Sequence, residues 1–327
     1  MHILVIGAAG MIGRKLTNAL VEVDQIAGKA IERLTLVDIV AASAPKTSAA
    51  VDCLALDLSA PDAVTTIVDR RPDLIFHLAA IVSGEAESDF EKGYRVNLDS
   101  TRCLLEAIRL EGIKSPYTPR LVFSSSIAVF GAPFPDAIGD EFVTTPLTSY
   151  GTQKAIGELL LNDYSRRGFV DGIGIRLPTI VVRPGKPNLA ASGFFSNILR
   201  EPLVGHEAVL PVGRDVRHWF ASPRSAVGFL LHAATMDTAD LGWRRTLSAP
   251  GLSATVGDEI EALRRIAGDR AVKLIREEAD PKVALMVGGW ARNFETKRAL
   301  SLGFRADASM DDIIRIHVDD ELNGRIG

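Results

Sequence analysis

The sequence predicts an α/β fold: a Rossmann-type, doubly wound parallel sheet joined to a smaller, mostly helical C-terminal substrate lobe. Three observations carry that expectation. Short apolar runs alternate with stretches of helical periodicity through the first half of the chain, the pattern of βαβ units around a parallel sheet. The first run, residues 2–6, leads directly into Gly7-Ala8-Ala9-Gly10-Met11-Ile12-Gly13. Farther on, the serine run Ser124-Ser125-Ser126 precedes Tyr150 and Lys154, which stand four residues apart.

Strands are expected at 2–6, 34–37, 51–56, 74–78 and 121–123. They are nearly continuous in apolar residues, as strands covered on both faces are. Helical spacing places helices at 12–23, 63–70, 90–110 and 150–167, and a further strand at 173–182 is interrupted by Pro178. Residues 41–50, small and polar, read as a surface loop. From Arg183 to Asp215 the chain becomes rich in proline and glycine, with one helix near 194–200. Residues 227–234 read as a helix returning to the sheet, and amphipathic helices at 258–267, 294–302 and 311–322 dominate the remainder. The expected division is 1–183 plus a returning segment about 215–240 for the nucleotide-binding domain. Residues about 184–214 plus 241–327 form the substrate lobe.

Bulk composition narrows the partners. The 327 residues are 47% hydrophobic and 24% charged, ordinary for a globular chain of two lobes. Thirty-seven basic against 41 acidic side chains leave a net charge of −4, which gives no electrostatic reason to expect nucleic acid or an anionic membrane. Cys53 and Cys103 make neither a disulfide framework nor a zinc spacing, and the six histidines show no ligand spacing, so no metal is expected. No signal pattern opens the chain, and no apolar run reaches the ~18 residues of a membrane helix. A reducing, cytoplasmic location is the expectation.

The glycine turn suits a dinucleotide. A chain that turns sharply from strand to helix, while a phosphate approaches its backbone N–H groups, needs residues without a Cβ, and the helix N-terminus attracts the anion. Gly7, Gly10, Met11, Ile12 and Gly13 are therefore cofactor-binding candidates. Asp38 ends the second strand, where an adenosine ribose presents two hydroxyls; its carboxylate accepts from a diol and repels a 2′-phosphate, so NAD is favoured over NADP. Asp57 and Leu58 follow the third strand and could border the adenine, although Asp57 could equally cap the following turn.

Oxidation of an alcohol needs a group to take the hydroxyl proton. Tyrosine is a weak base at neutral pH, with a reference pKa near ~10, and a neighbouring ammonium lowers it. Four residues along a helix place Lys154 on the face of Tyr150. The serines lie at the carboxyl edge of the sheet, where ligands of open parallel sheets bind.

With these residues in place the chain resembles the extended short-chain dehydrogenase/reductases. The matching stretches are the glycine turn, His77-Leu78-Ala79-Ala80, Asn97, Phe123-Ser124-Ser125-Ser126-Ile127-Ala128-Val129-Phe130-Gly131, Tyr150 with Lys154, Arg176-Leu177-Pro178-Thr179 and the segment 297–304. The resemblance implies that Ser126 is the catalytic hydroxyl, Tyr150 the general base and Lys154 the holder of the nicotinamide ribose. Ala79, Ala80 and Asn97 would sit near the cofactor, and the backbone of Pro178, Thr179 and Ile180 would meet the carboxamide. The helices matching 90–110 and 150–167 would pair across a two-fold axis, giving a homodimer.

Within the family the chain looks most like an NAD-dependent oxidoreductase of small sugar acids. That rests on 177–185, on Ser192-Gly193-Phe194-Phe195-Ser196 and on Arg217-His218-Trp219. Nucleotide-sugar relatives often carry an aromatic-Asn pair where Leu177-Pro178 stands, and sugar dehydratases a carboxylate pair where Ile127-Ala128 stands. The expected reaction is oxidation of a 2-hydroxy aldonate at C2. Ser83, Ser126, Tyr150 and Thr179 would line the substrate, and Arg217 would grip its carboxylate, with Arg183 as the alternative. A nucleotide-sugar epimerase using the same Ser, Tyr, Lys and NAD is the second reading, and a non-enzymatic NAD-binding regulator the third.

Overall fold

A computed structural model describes residues 1–60, 62–185 and 192–327. Its main sheet has seven parallel strands in the spatial order Thr246–Ser248, Asp171–Leu177, Arg120–Ser126, Leu74–His77, His2–Ile6, Arg33–Asp38 and Ala50–Ala55. Successive side chains leave a strand on opposite faces, and here both faces are covered. Ile3 and Val5 pack with Leu16 and Leu20 of the helix Met11–Val23 and with Phe229 and Leu230 of Pro223–Thr235. Leu4 and Ile6 pack on the other side with Ile67, Leu104, Ile108 and Leu161 of three further helices. Double burial explains why these strands are unbroken apolar runs rather than alternating ones.

Strand order reverses across His2–Ile6. The next two large strands lie to one side of it, and all later strands of the sheet lie to the other. The crevice at the carboxyl ends beside such a switch point is the ligand site of open parallel sheets.

The structure differs from the sequence expectation in three places. The strand expected at 121–123 runs on to Ser126, so all three serines are paired, Ser126 opposite Leu177. The helix expected at 90–110 is three pieces: Phe90–Gly93, a wider π-helical turn Tyr94–Asp99, and Ser100–Lys114. The segment returning to the sheet does not stop near 240, because Thr246–Ser248 forms the edge strand beside Asp171–Leu177, and Ala299 and Phe304 join the sheet's core. The substrate lobe is mostly helical and also contains short strands. It holds a three-stranded sheet of Leu252–Thr255, Arg217–Ala221 and Thr179–Ile180, and a pair, Ala208–Leu210 with Ile275–Glu277. Strands of two to five residues are too short to show the alternation that marks a strand in sequence. Around them, the helices Gly193–Leu203, Val256–Val272 and Met310–Leu322 close a second core through Phe195, Leu199, Ile260, Leu263 and Ile314.

One buried ion pair ties the sheet to the helix Ser149–Arg166. The Glu158 carboxylate accepts from Arg176 Nη2 at 2.7 Å, from Arg176 Nε at 2.9 Å and from Ser125 Oγ at 2.5 Å. The guanidinium lies 4.8 Å above the Phe130 ring. Removing one partner of such a pair strands the other charge in a poorly hydrated site. Glu158→Ala is therefore expected to cost about 3–5 kcal/mol of stability in urea unfolding. The double variant Glu158→Ala, Arg176→Met should cost less than Glu158→Ala alone. A single-variant loss below about 1 kcal/mol, the scale of exposed pairs, would refute this account.

Candidate active site

The cofactor side is built by the turn after the first strand. Gly7 has φ +91°, and a Cβ there would lie 2.7 Å from Ala79 N; a Cβ on Gly13 would lie 2.1 Å from Gly7 O. No side chain caps the helix that follows from Gly10, so its first N–H groups face outward toward an anion. Asp38, at the end of Arg33–Asp38, accepts from Ala9 N at 2.9 Å and from Ile39 N at 2.7 Å. Those bonds hold its carboxylate against the turn. This geometry fits a dinucleotide: a backbone cradle that a Cβ would fill, an uncapped helix end and a fixed carboxylate beside it.

The catalytic side is built by a helix start pressed against a strand end. Thr148 Oγ1 caps the helix Ser149–Arg166 by accepting from Gly151 N at 3.1 Å. A Cβ on Gly151 would lie 2.1 Å from Ala128 O, so the first turn touches the chain directly after Ser126. Tyr150 is thereby fixed beside Ser126, whose Oγ accepts from Ala128 N at 3.1 Å. Burial pushes the Tyr150 phenol above its ordinary pKa; the Ser126 side chain and the Arg183 guanidinium oppose that rise. The sequence expectation gave this acidifying role to Lys154. Its Nζ instead donates to Ser124 O at 2.8 Å, 5.8 Å from the centre of the Tyr150 ring and 4.9 Å from that of Phe123. Burial pulls its own pKa down to about 8, with Glu158 opposing.

Both sides open on one cavity of about 620 Å³. It is lined by Gly7, Gly10, Met11, Ile12, Gly13, Ala80, Ser83, Ser126, Tyr150, Lys154, Pro178, Thr179, Ile180 and Arg183, so most sequence candidates converge. Six do not line it. Asp38 stands behind the turn as described, and Ala79 backs Gly7. Asp57 is exposed, and its Oδ1 accepts from Ser59 N at 2.9 Å and Ser59 Oγ at 2.6 Å, bonds that lower its pKa; Leu58 is buried beside it. Asn97 is a correction. It lies in the π-helical turn, where its Oδ1 accepts from Ile81 N at 2.9 Å and its Nδ2 donates to Gln153 Oε1 at 2.8 Å. It holds the loop that bears Ala80 rather than facing the cavity.

Arg217 is the second correction. Its strand, Arg217–Ala221, alternates sides, so His218 enters the cavity while Arg217 turns to solvent and donates to Ser253 O at 2.9 Å. Arg183, by contrast, lines the cavity, with Nε donating to Ile180 O at 2.9 Å and Nη2 to Ser192 Oγ at 2.8 Å. His218 Nε2 pairs with Thr179 Oγ1 at 2.7 Å, and its ring stacks on Phe195 at 5.1 Å. Burial drives His218 down to about 3, and His77, paired with Thr101 Oγ1 at 2.9 Å, likewise to about 3, so both are neutral. Ser192, Ser196, Asn197, Met286 and Trp290 also line the cavity. The sequence stretch 192–196 hinted at the serines; nothing in the sequence pointed to Met286 or Trp290.

The chain belongs to the NAD dependent epimerase/dehydratase family, matching it over residues 3–238. It is 46% identical over 324 residues to a D-erythronate dehydrogenase of Cupriavidus necator, covering 98% of both chains. It is 40% identical over 319 residues to one of Haemophilus influenzae, covering 98% of this chain and 99% of that one. A solved structure described as the nucleoside-diphosphate-sugar epimerase from Agrobacterium tumefaciens is 64% identical, covers 100% of this chain and 96% of its own, and superposes with a TM-score of 0.98. NAD is the cofactor, in keeping with the family and with the cradle at Gly7 to Gly13. Replacing Asp38 by Ala should narrow the preference for NAD over NADP, chiefly through the Michaelis constant of the cofactor. Equal use of both cofactors by the unmodified enzyme would contradict the role given to this carboxylate.

Proposed function

We propose that the protein oxidises D-erythronate, or a close 2-hydroxy aldonate, at C2 to the 2-keto acid. The observation that carries this reading is the meeting of Ser126, Tyr150, Lys154 and Arg183 in the cavity that the glycine turn opens on. The two D-erythronate dehydrogenases, which the chain matches end to end, support the choice of substrate.

NAD, when bound, supplies the acceptor for the hydride that leaves C2. The chain supplies the rest. Ser126 Oγ hydrogen-bonds the C2 oxygen, and Tyr150, as the phenolate, takes the C2 hydroxyl proton and becomes the phenol. Lys154, four residues on, holds the nicotinamide ribose. The Pro178, Thr179 and Ile180 backbone would meet the carboxamide, and Ala79 and Ala80 would sit near the cofactor. Asp38 holds the adenosine ribose, and Asp57 and Leu58 border the adenine. Ser83 and Thr179 line the substrate side.

The second reading, a nucleotide-sugar epimerase, draws on the name of the 64% identical structure and on a 32% match over 164 residues to a UDP-glucose 4-epimerase of Azospirillum brasilense. Net NADH separates the two, because an epimerase restores its NAD in each cycle. NADH absorbance with a panel of four- to six-carbon aldonates should rise for D-erythronate or a neighbour. Tyr150→Phe should abolish that turnover with NAD binding retained, and Ser126→Ala should lower it by about 10²-fold. Conversion of a nucleotide sugar without net NADH, and no activity on any aldonate, would replace this reading by the epimerase.

A homodimer and a cytoplasmic location complete the proposal. Phe90, Leu110, Ile113 and Leu159, on the helices expected to pair, are exposed in the single chain. Cys53 and Cys103 are unbridged, and no described helix is long and apolar enough to cross a membrane. Sedimentation at micromolar concentration is expected to give twice the 35.2 kDa chain mass; a stable monomer would remove the dimer.

A further inference from the structure

We propose that Arg183 anchors the substrate carboxylate and thereby sets a preference for 2-hydroxy acids over neutral polyols and nucleotide sugars. The inference rests on the dehydrogenase reading above and gives it a specificity residue.

The first support is charge. Arg183 lines the cavity, and its bonds to described residues go to the Ile180 carbonyl and the Ser192 hydroxyl, neither of which neutralises it. Among the described residues no carboxylate meets it, and residues 186–191, outside the described set, contain no Asp or Glu. A poorly hydrated guanidinium without an anion is costly, and a substrate carboxylate removes that cost while using the planar fork.

The second support is position. In a 2-hydroxy acid the carboxylate carbon is bonded directly to the carbon being oxidised. The anchor must therefore lie beside the base. Arg183 lines the same cavity as Tyr150 and Ser126, its guanidinium held there by the Ile180 carbonyl and the Ser192 hydroxyl, and it opposes the rise in the Tyr150 pKa. In a nucleotide sugar oxidised across the ring from its phosphate, the negative charge lies several bonds from the reacting carbon, and this placement would not serve it.

The other cations are excluded by their partners. Arg200 also lines the cavity, but its Nε and Nη2 donate to Glu201 Oε1 at 2.9 and 2.6 Å, and its Nη1 to Arg183 O at 2.9 Å. It is neutralised and buttresses Arg183. Lys154 spends a donor on Ser124 O, and Arg217 lies outside the cavity. His218 is neutral, so it adds no charge to the subsite.

The test compares Arg183→Met, Arg183→Lys and Arg217→Ala with the unmodified enzyme, using NAD with D-erythronate and with erythritol, its neutral counterpart. Arg183→Met is expected to raise the Michaelis constant for the acid at least about 30-fold, equivalent to about 2 kcal/mol, with that for NAD nearly unchanged. The acid-over-polyol ratio should collapse in parallel. Arg183→Lys keeps the charge without the fork and should recover part of the loss. Arg217→Ala should leave both constants unchanged. A folded Arg183→Met enzyme with an unaltered constant for the acid overturns the proposal, as does a large effect of Arg217→Ala. Should Arg183→Met fail to fold, Arg183→Lys decides: a several-fold rise for the acid alone supports the anchor, and no rise refutes it. An unmodified enzyme that yields no NADH with any aldonate fails at the reaction itself, before any variant is compared, and removes the anchor with it.

Discussion

The contact on which the site depends is between one face of the helix Ser149–Arg166 and the end of the strand Arg120–Ser126. Positions 150, 154 and 158 stand four residues apart, so they share that face. Each meets a different serine. Tyr150 stands beside Ser126, Lys154 Nζ donates to Ser124 O, and Glu158 accepts from Ser125 Oγ while neutralising Arg176 of the neighbouring strand. Gly151 sets the distance, because its lack of a Cβ lets the helix start reach Ala128 O. Tyr150 is thus carried by the docked first turns of a helix rather than by a loop, which suits a group that must hold one position against a bound alcohol.

That arrangement explains why part of the site is legible in the sequence. The glycine turn, the serines and the Tyr-Lys pair are local patterns. Each is a short stretch whose geometry follows from one strand end or one helix turn, and each lies where a parallel sheet places ligands. The covered strands are equally readable, because burial on both faces writes an unbroken apolar run. Extending the strand to Ser126 was not readable: serine has no preference for strands, and it is the pairing with Asp171–Leu177 that holds it there.

The substrate side is different in kind. Its lining comes from Ser83, Thr179 with Arg183, Ser192, His218 and Trp290, which lie on five separate stretches of the chain. No spacing relates them. The choice between Arg183 and Arg217 shows how finely such a question turns. Within Arg217–Ala221 a shift of one residue exchanges the inner and outer faces. The chain places His218 inward, against Phe195 and Thr179, and that alone sends Arg217 out to Ser253. Asn97 was misread for a related reason: the π-helical turn that directs it toward Ile81 and Gln153 leaves no mark in the apolar spacing of 90–110.

Charge inside the cavity follows from the same packing. Burial keeps His218 neutral and pulls Lys154 down to about 8, while Glu201 cancels Arg200. Among the described residues Arg183, which lines the cavity with Tyr150, has no carboxylate partner. In the proposed reaction one guanidinium would serve two anions, the substrate carboxylate and the Tyr150 phenolate that takes the hydroxyl proton. A carboxylate that pairs fully with Arg183 weakens its pull on Tyr150. Binding the acid and activating the base are thus coupled through Arg183.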